Sequence, residues 1–139
     1  MTNTLPTHAV KAVVVTQAGD VLFLQRNAAG RADGRSNWDL PGGLVELGED
    51  DETALRREIP EEIGRKVVSV GPELGKWSFY RPFDNATVRV TNYLVEIDSS
   101  DLTLSDEHVA AQWISPEVLK KAELDVKDQS LFAALGLEK

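Results

Sequence analysis

Residues 50–63 constrain the fold more than any other stretch of this chain. Leu55, Ile59 and Ile63 recur at i, i+4 and i+8, the spacing of one helical stripe. Asp50 and Asp51 stand where side-chain oxygens can cap free N–H groups, and Gly64 follows where a helix commonly ends. Glu58, Glu61 and Glu62 fall at i, i+3 and i+4, so they share a second face beside the apolar one. The helix can therefore bury one side while it holds a cluster of carboxylates on the next. Pro60 lies inside it. An internal proline removes a backbone hydrogen bond and costs about 3 kcal/mol in a regular helix, so a kink or opened turn is expected near Arg56.

Strands surround this helix. Residues 9–16 are rich in valine and read as a buried strand, with a turn at Ala18, Gly19 and Asp20 and a returning strand over 21–25. Residues 27–37 read as an exposed loop, and 38–40 as a short strand stopped by Pro41, Gly42 and Gly43. Further strands are expected over 67–70, 75–80, 87–97 and 111–114, with helices over 115–123 and 127–135. There is no regular βαβ alternation. The pattern predicts an α+β chain with a mixed β-sheet sandwiched between α-helices, forming one domain over residues 1–139.

Composition excludes several classes. No cysteine is present, which removes disulfides, thiolate zinc sites and a cysteine nucleophile. His8 and His108 are the only histidines, so a histidine-built zinc site is not expected, and His108 reads as a polar loop residue. The formal net charge of -8 disfavours binding to a nucleic acid polymer, which needs a basic surface. The first ten residues do not resemble a signal peptide, and no apolar run approaches the roughly 18 residues of a membrane span, so a cytoplasmic location is expected.

Three carboxylates on one helical face repel one another and raise one another's pKa. A hard divalent cation relieves both effects. Mg²⁺ takes oxygen ligands and shares its shell with water and substrate phosphates, and it would offset the repulsion between an acidic protein and a polyphosphate. Taken alone, Glu-x-x-Glu-Glu is more often a solvated acidic face.

The surrounding residues change that balance. Gly43, five residues, Glu49, seven residues, and then Arg57-Glu58-Ile59-Pro60-Glu61-Glu62-Ile63-Gly64 resembles the Nudix box, G-x5-E-x7-R-E-U-x-E-E-x-G-U, where U is a bulky aliphatic residue. Eight of its nine defined positions match, and Arg65 occupies the last aliphatic one. The resemblance implies the Nudix fold and hydrolysis of a nucleoside diphosphate linked to another group, with Mg²⁺ or Mn²⁺ as cofactor. It implies Glu58 and Glu62 as metal ligands, Glu61 as a ligand or base, and the carbonyl of Gly42 as a further ligand. Arg57 would pair with Glu49 and orient the glutamates. Gly43, Glu49 and Gly64 would be structural. A late-loop acid often contributes in the family, and Glu107 is the candidate here.

The sequence does not name the substrate. Arg26, Arg31, Arg35, Lys76 and Arg81 are the basic residues nearest the motifs, and one or two could hold phosphate oxygens. Trp77, Phe79, Tyr80 and Phe83 follow the box, and one of them could stack on a base, although strand aromatics usually serve the core. Some Nudix subfamilies carry a proline or tyrosine shortly after the box. Pro82 and Tyr80 both fall in that range, so the resemblance points towards both dinucleoside polyphosphates and ADP-ribose and separates nothing. Nucleoside triphosphates, ADP-ribose and nucleotide sugars all stay open. The partner implied is a small-molecule nucleotide, and homodimers are common in the family. The alternative is a silent nucleotide-binding or regulatory domain of the same fold, against which the intact glutamates argue. The fold's isomerase branch uses a cysteine, which is missing here.

Overall fold

The computed structural model describes residues 5–16, 19–26, 38–106 and 108–115. Its elements run β1 (His8–Val14), β2 (Val21–Arg26), β3 (Trp38–Asp39), β4 (Gly42–Leu44), α1 (Asp51–Ile63), β5 (Val67–Arg81), a 3₁₀ turn (Pro82–Asp84), β6 (Ala86–Ile97) and β7 (His108–Ile114). Four strands form one sheet in the order β4-β1-β6-β5, and three form a second in the order β3-β2-β7. β1 and β6 pair in parallel, with Ala9 opposite Val90 and Lys11 opposite Asn92, while the other pairs are antiparallel. The chain is therefore α+β with a mixed sheet. The helices expected over 115–123 and 127–135 lie outside the described residues, apart from Ser115.

α1 packs as its apolar spacing requires. Ala54, Leu55, Ile59 and Ile63 are fully buried against Val10, Ala12, Val14, Leu22, Leu24 and Val95. Burying each of the three larger side chains contributes roughly 2 kcal/mol. The Asp50 carboxylate accepts from Thr53 N at the start of α1, and Gly64 ends it in a left-handed conformation at φ 69°. Polar contacts fix both ends. At the first turn, the Asp51 carboxylate meets His8 Nε2 on β1 at 2.9 Å and accepts from the Tyr93 hydroxyl on β6. At the last turn, Thr103 N donates to Ile63 O and Ser105 N to Glu62 O.

Three expectations need correction. The helix is continuous from Asp51 to Ile63, so of the kink or opened turn expected near Arg56 the opened turn does not form. The strands expected over 67–70 and 75–80 are one strand, β5, because β6 pairs along its whole length and the irregular stretch around Gly71 and Pro72 is absorbed as shifts in register. His108 is not a loop residue. It opens β7, where it is buried and lies 3.4 Å from the Ser105 hydroxyl. No helix among the described residues is long and apolar enough to cross a membrane.

Candidate active site

A turn between β3 and α1 brings the site together. Gly42 has φ 143°, and a Cβ there would lie 2.1 Å from Val10 O, so only glycine lets β4 approach β1 this closely. Ala12 N donates to Pro41 O at 2.8 Å and holds the turn against β1. Gly42 N then donates to Glu62 Oε1 at 2.6 Å. Gly43 serves a different contact. A Cβ on it would meet the Glu58 carboxylate at 2.7 Å. The two glycines thus admit the carboxylates of α1 to the surface of β4.

Arg57 organises the neighbouring loop. Its Nε and Nη2 donate to the two Glu49 oxygens, each at 2.8 Å, in a bidentate pair. Nη2 also reaches Leu44 O, and Nη1 donates to Glu58 Oε1 at 2.7 Å. The Arg57 guanidinium, helped by the Glu46 N–H, holds the Glu49 carboxyl down to about 2. A carboxylate depressed on folding stabilises the fold above its ordinary value near 4.5, and that contribution is lost as pH falls towards 2. Glu49→Gln is accordingly expected to lower Tm at neutral pH. The gap to wild type should close between about pH 4.5 and 2, as read by thermal unfolding across that range. A gap independent of pH would contradict the pairing.

The glutamates of α1 sit in different surroundings. Glu62 is buried, and burial raises its carboxyl to about 7 despite the Lys11 charge and the Gly42 N–H. Glu58 is partly buried and also raised by desolvation, which outweighs its bond to Arg57. Glu61 is exposed. All three line one cavity of about 1050 Å³ with Lys11, Asp39, Gly42, Arg57, Trp77 and Phe83. Among the described residues no group of three or more acids or histidines is already gathered as a metal centre. The chemistry of the donors nonetheless fits a hard divalent cation. Glu58 and Glu62 are desolvated oxygen donors, and Gly42 N is the hydrogen-bond donor to Glu62 among the described residues.

The predicted substrate handles fare differently. Arg81 lines the cavity, but its fork is occupied: Nε and Nη2 donate to the Asp84 carboxylate at 2.8 and 2.7 Å, and Nη1 to Pro6 O. It braces the β5–β6 hairpin, because a buried guanidinium takes up whatever acceptors surround it. Tyr80 lines the cavity with its hydroxyl on Asn85 Oδ1. Lys76 lies beside Glu73 on β5 and does not line this cavity. Glu107, Arg31 and Arg35 lie outside the described residues, as does the side chain of Arg26 at the end of β2.

Lys11 and Asp39 also line the cavity, and the sequence reading does not single them out. Lys11 Nζ donates to Asp39 Oδ2 at 3.2 Å and to Leu40 O at 3.3 Å, so a nearly buried ion pair lies in the cavity wall. The available signal was a single lysine inside an otherwise apolar strand, a position that seldom holds a charge without a reason.

Comparison with known proteins agrees with this geometry. Residues 5–135 match the NUDIX domain family. The chain is 31% identical over 110 residues to the nucleoside triphosphatase NudI of Salmonella paratyphi B, a match covering 72% of this chain and 77% of the relative. The structure resembles that of a MutT protein from Methanosarcina mazei Go1, with a TM-score of 0.76, 26% identity and coverage of 97% and 96% of the two chains. It also resembles a MutT NUDIX hydrolase from Burkholderia pseudomallei, with a TM-score of 0.74, 25% identity and coverage of 98% and 100%. With the box from Gly43 to Gly64 built into one cavity wall, the chain belongs to the Nudix hydrolase family.

Proposed function

We propose that this chain hydrolyses nucleoside triphosphates by attack of water at phosphorus, with Mg²⁺ or Mn²⁺ as cofactor. The observation that carries the reading is the pair of desolvated carboxylates, Glu58 and Glu62, facing one cavity with the exposed Glu61 beside them. The triphosphate preference rests on the likeness to NudI, which is named a nucleoside triphosphatase. Glu58, Glu62 and the Gly42 carbonyl would hold the cation, with Glu61 as a further ligand or the proton acceptor. When bound, the cation would lower the pKa of water and neutralise phosphate charge.

The residues of the chain supply the rest. Arg57 restrains Glu58 through Nη1 and is itself restrained by Glu49, so the carboxylate is aimed before substrate arrives. Glu61, the most accessible of the three, is suited to accept the proton of the attacking water. Glu107, adjacent to β7, is the second candidate for that task. Products would be a nucleoside monophosphate and pyrophosphate.

The test is a panel of nucleoside triphosphates, ADP-ribose and nucleotide sugars assayed with purified protein and Mg²⁺. Pyrophosphate is expected from the triphosphates and is expected to vanish when the divalent ion is chelated. Nucleotide binding without turnover across the whole panel would favour a silent binding domain instead.

A further inference from the structure

Every cation among the described residues lining the cavity is already committed. Lys11 is paired with Asp39, Arg57 with Glu49 and Glu58, and Arg81 with Asp84. The wall they leave for recognising the organic part of a substrate is aromatic. Trp77 and Phe79 pack together, with ring centroids 5.7 Å apart, against the core residues Ala9, Val88 and Val90. Phe83 differs from both. It is 74% exposed, belongs to no core cluster, and still lines the cavity.

The hairpin tip that carries Phe83 is braced on several sides. Arg81 ties it to Asp84 and to Pro6 O, Asn85 turns the chain with φ 53°, and the Tyr80 hydroxyl donates to Asn85. The Arg81 guanidinium carbon lies 5.3 Å from the Phe83 ring centroid, so the ring is held on that side. An exposed aromatic costs free energy in water, and a tip this well restrained presents it with little entropy left to lose on binding.

We infer that Phe83 is a stacking platform for the nucleobase, on a hairpin braced by Arg81. The inference deepens the hydrolase reading and rests on it for the identity of the ligand. Stacking uses the π face that all bases share, so the platform should admit purine and pyrimidine nucleotides alike. Arg81 is a positioning residue here, since it acts through the tip and not on the substrate.

The experiment compares wild type with Phe83→Ala and Phe83→Trp on ATP, GTP, CTP and UTP, with inorganic tripolyphosphate as a probe without a base. Phe83→Ala is expected to raise KM about tenfold for all four nucleotides, with kcat within about twofold, and Phe83→Trp to restore KM. A parallel titration reads binding of a non-hydrolysable ATP analogue and of tripolyphosphate by calorimetry. Phe83→Ala should weaken the analogue about tenfold and leave tripolyphosphate unchanged. Unchanged KM and affinity, a loss confined to one base, or an equal loss for tripolyphosphate would each overturn the platform. If wild type turns over nothing, the hydrolase reading fails, while the calorimetric comparison still decides on Phe83.

Discussion

Glu62→Gln is expected to lower kcat by roughly 10²-fold or more while raising Tm in divalent-free buffer at pH 8. Two physical facts pull in opposite directions at this residue. Glu62 is 8% exposed, and its neighbours do not offset the desolvation of its charge, which is why its carboxyl rises to about 7. Replacing the carboxylate with an amide of the same shape removes that burden and keeps an oxygen that can accept from Gly42 N. The same replacement removes the negative charge on which cation binding would depend. Steady-state kinetics at saturating Mg²⁺ and thermal unfolding without it are the two measurements. Wild-type turnover in the variant would refute the metal role assigned to Glu62. A lower Tm would refute the claim that its charge strains the fold.

Gly42→Ala is expected to abolish the native fold, at a cost above about 4 kcal/mol, whereas Gly43→Ala should fold and fail in turnover. The two glycines are adjacent, yet an added methyl group meets different neighbours. At Gly42 it meets the Val10 carbonyl 2.1 Å away, in the middle of a paired strand, and the backbone must also adopt φ 143°. Neither obstacle can relax without separating β4 from β1. At Gly43 the methyl meets only the end of the Glu58 side chain, which can swing away. That movement would break the Arg57 Nη1 bond to Glu58 and misplace a carboxylate of the site. Circular dichroism and unfolding curves separate the outcomes. A cooperative transition near the wild-type Tm in Gly42→Ala would overturn this account.

What could be read in advance was local. The stripe of Leu55, Ile59 and Ile63 specified the buried face of α1, and the spacing of Glu58, Glu61 and Glu62 specified its second face, because a helix repeats within a few residues. The pairing of Arg57 with Glu49 was implied by the resemblance to the Nudix box and not by spacing, although it too spans a short stretch of chain. What escaped was set by partners far along the sequence. Gly71 and Pro72 carry a turn signal, but pairing with β6 overrides it and keeps β5 extended. Arg81 offered a cation, and only the fold shows Asp84 and Pro6 taking its donors. His108 reads as a polar loop residue from its neighbours, and only pairing with Arg26 on β2 makes it the first residue of β7. The Lys11–Asp39 pair joins β1 and β3, strands of two different sheets, a contact that no periodicity encodes.

The parallel pairing of β1 with β6 carries a consequence for how the protein is made. Lys11 and Asn92 face each other across that pairing, so about eighty residues must be synthesised between the two halves of one ladder. Contacts so distant in sequence slow folding, because the intervening loop must close before they are rewarded. On the ribosome, β1, β4 and α1 can emerge long before β6 is available to cover the other edge of β1. A nascent chain halted before residue 86 would display that edge unpaired, open to other chains. The helix that carries Glu58, Glu61 and Glu62 is thus synthesised well before the strand that covers the other edge of β1.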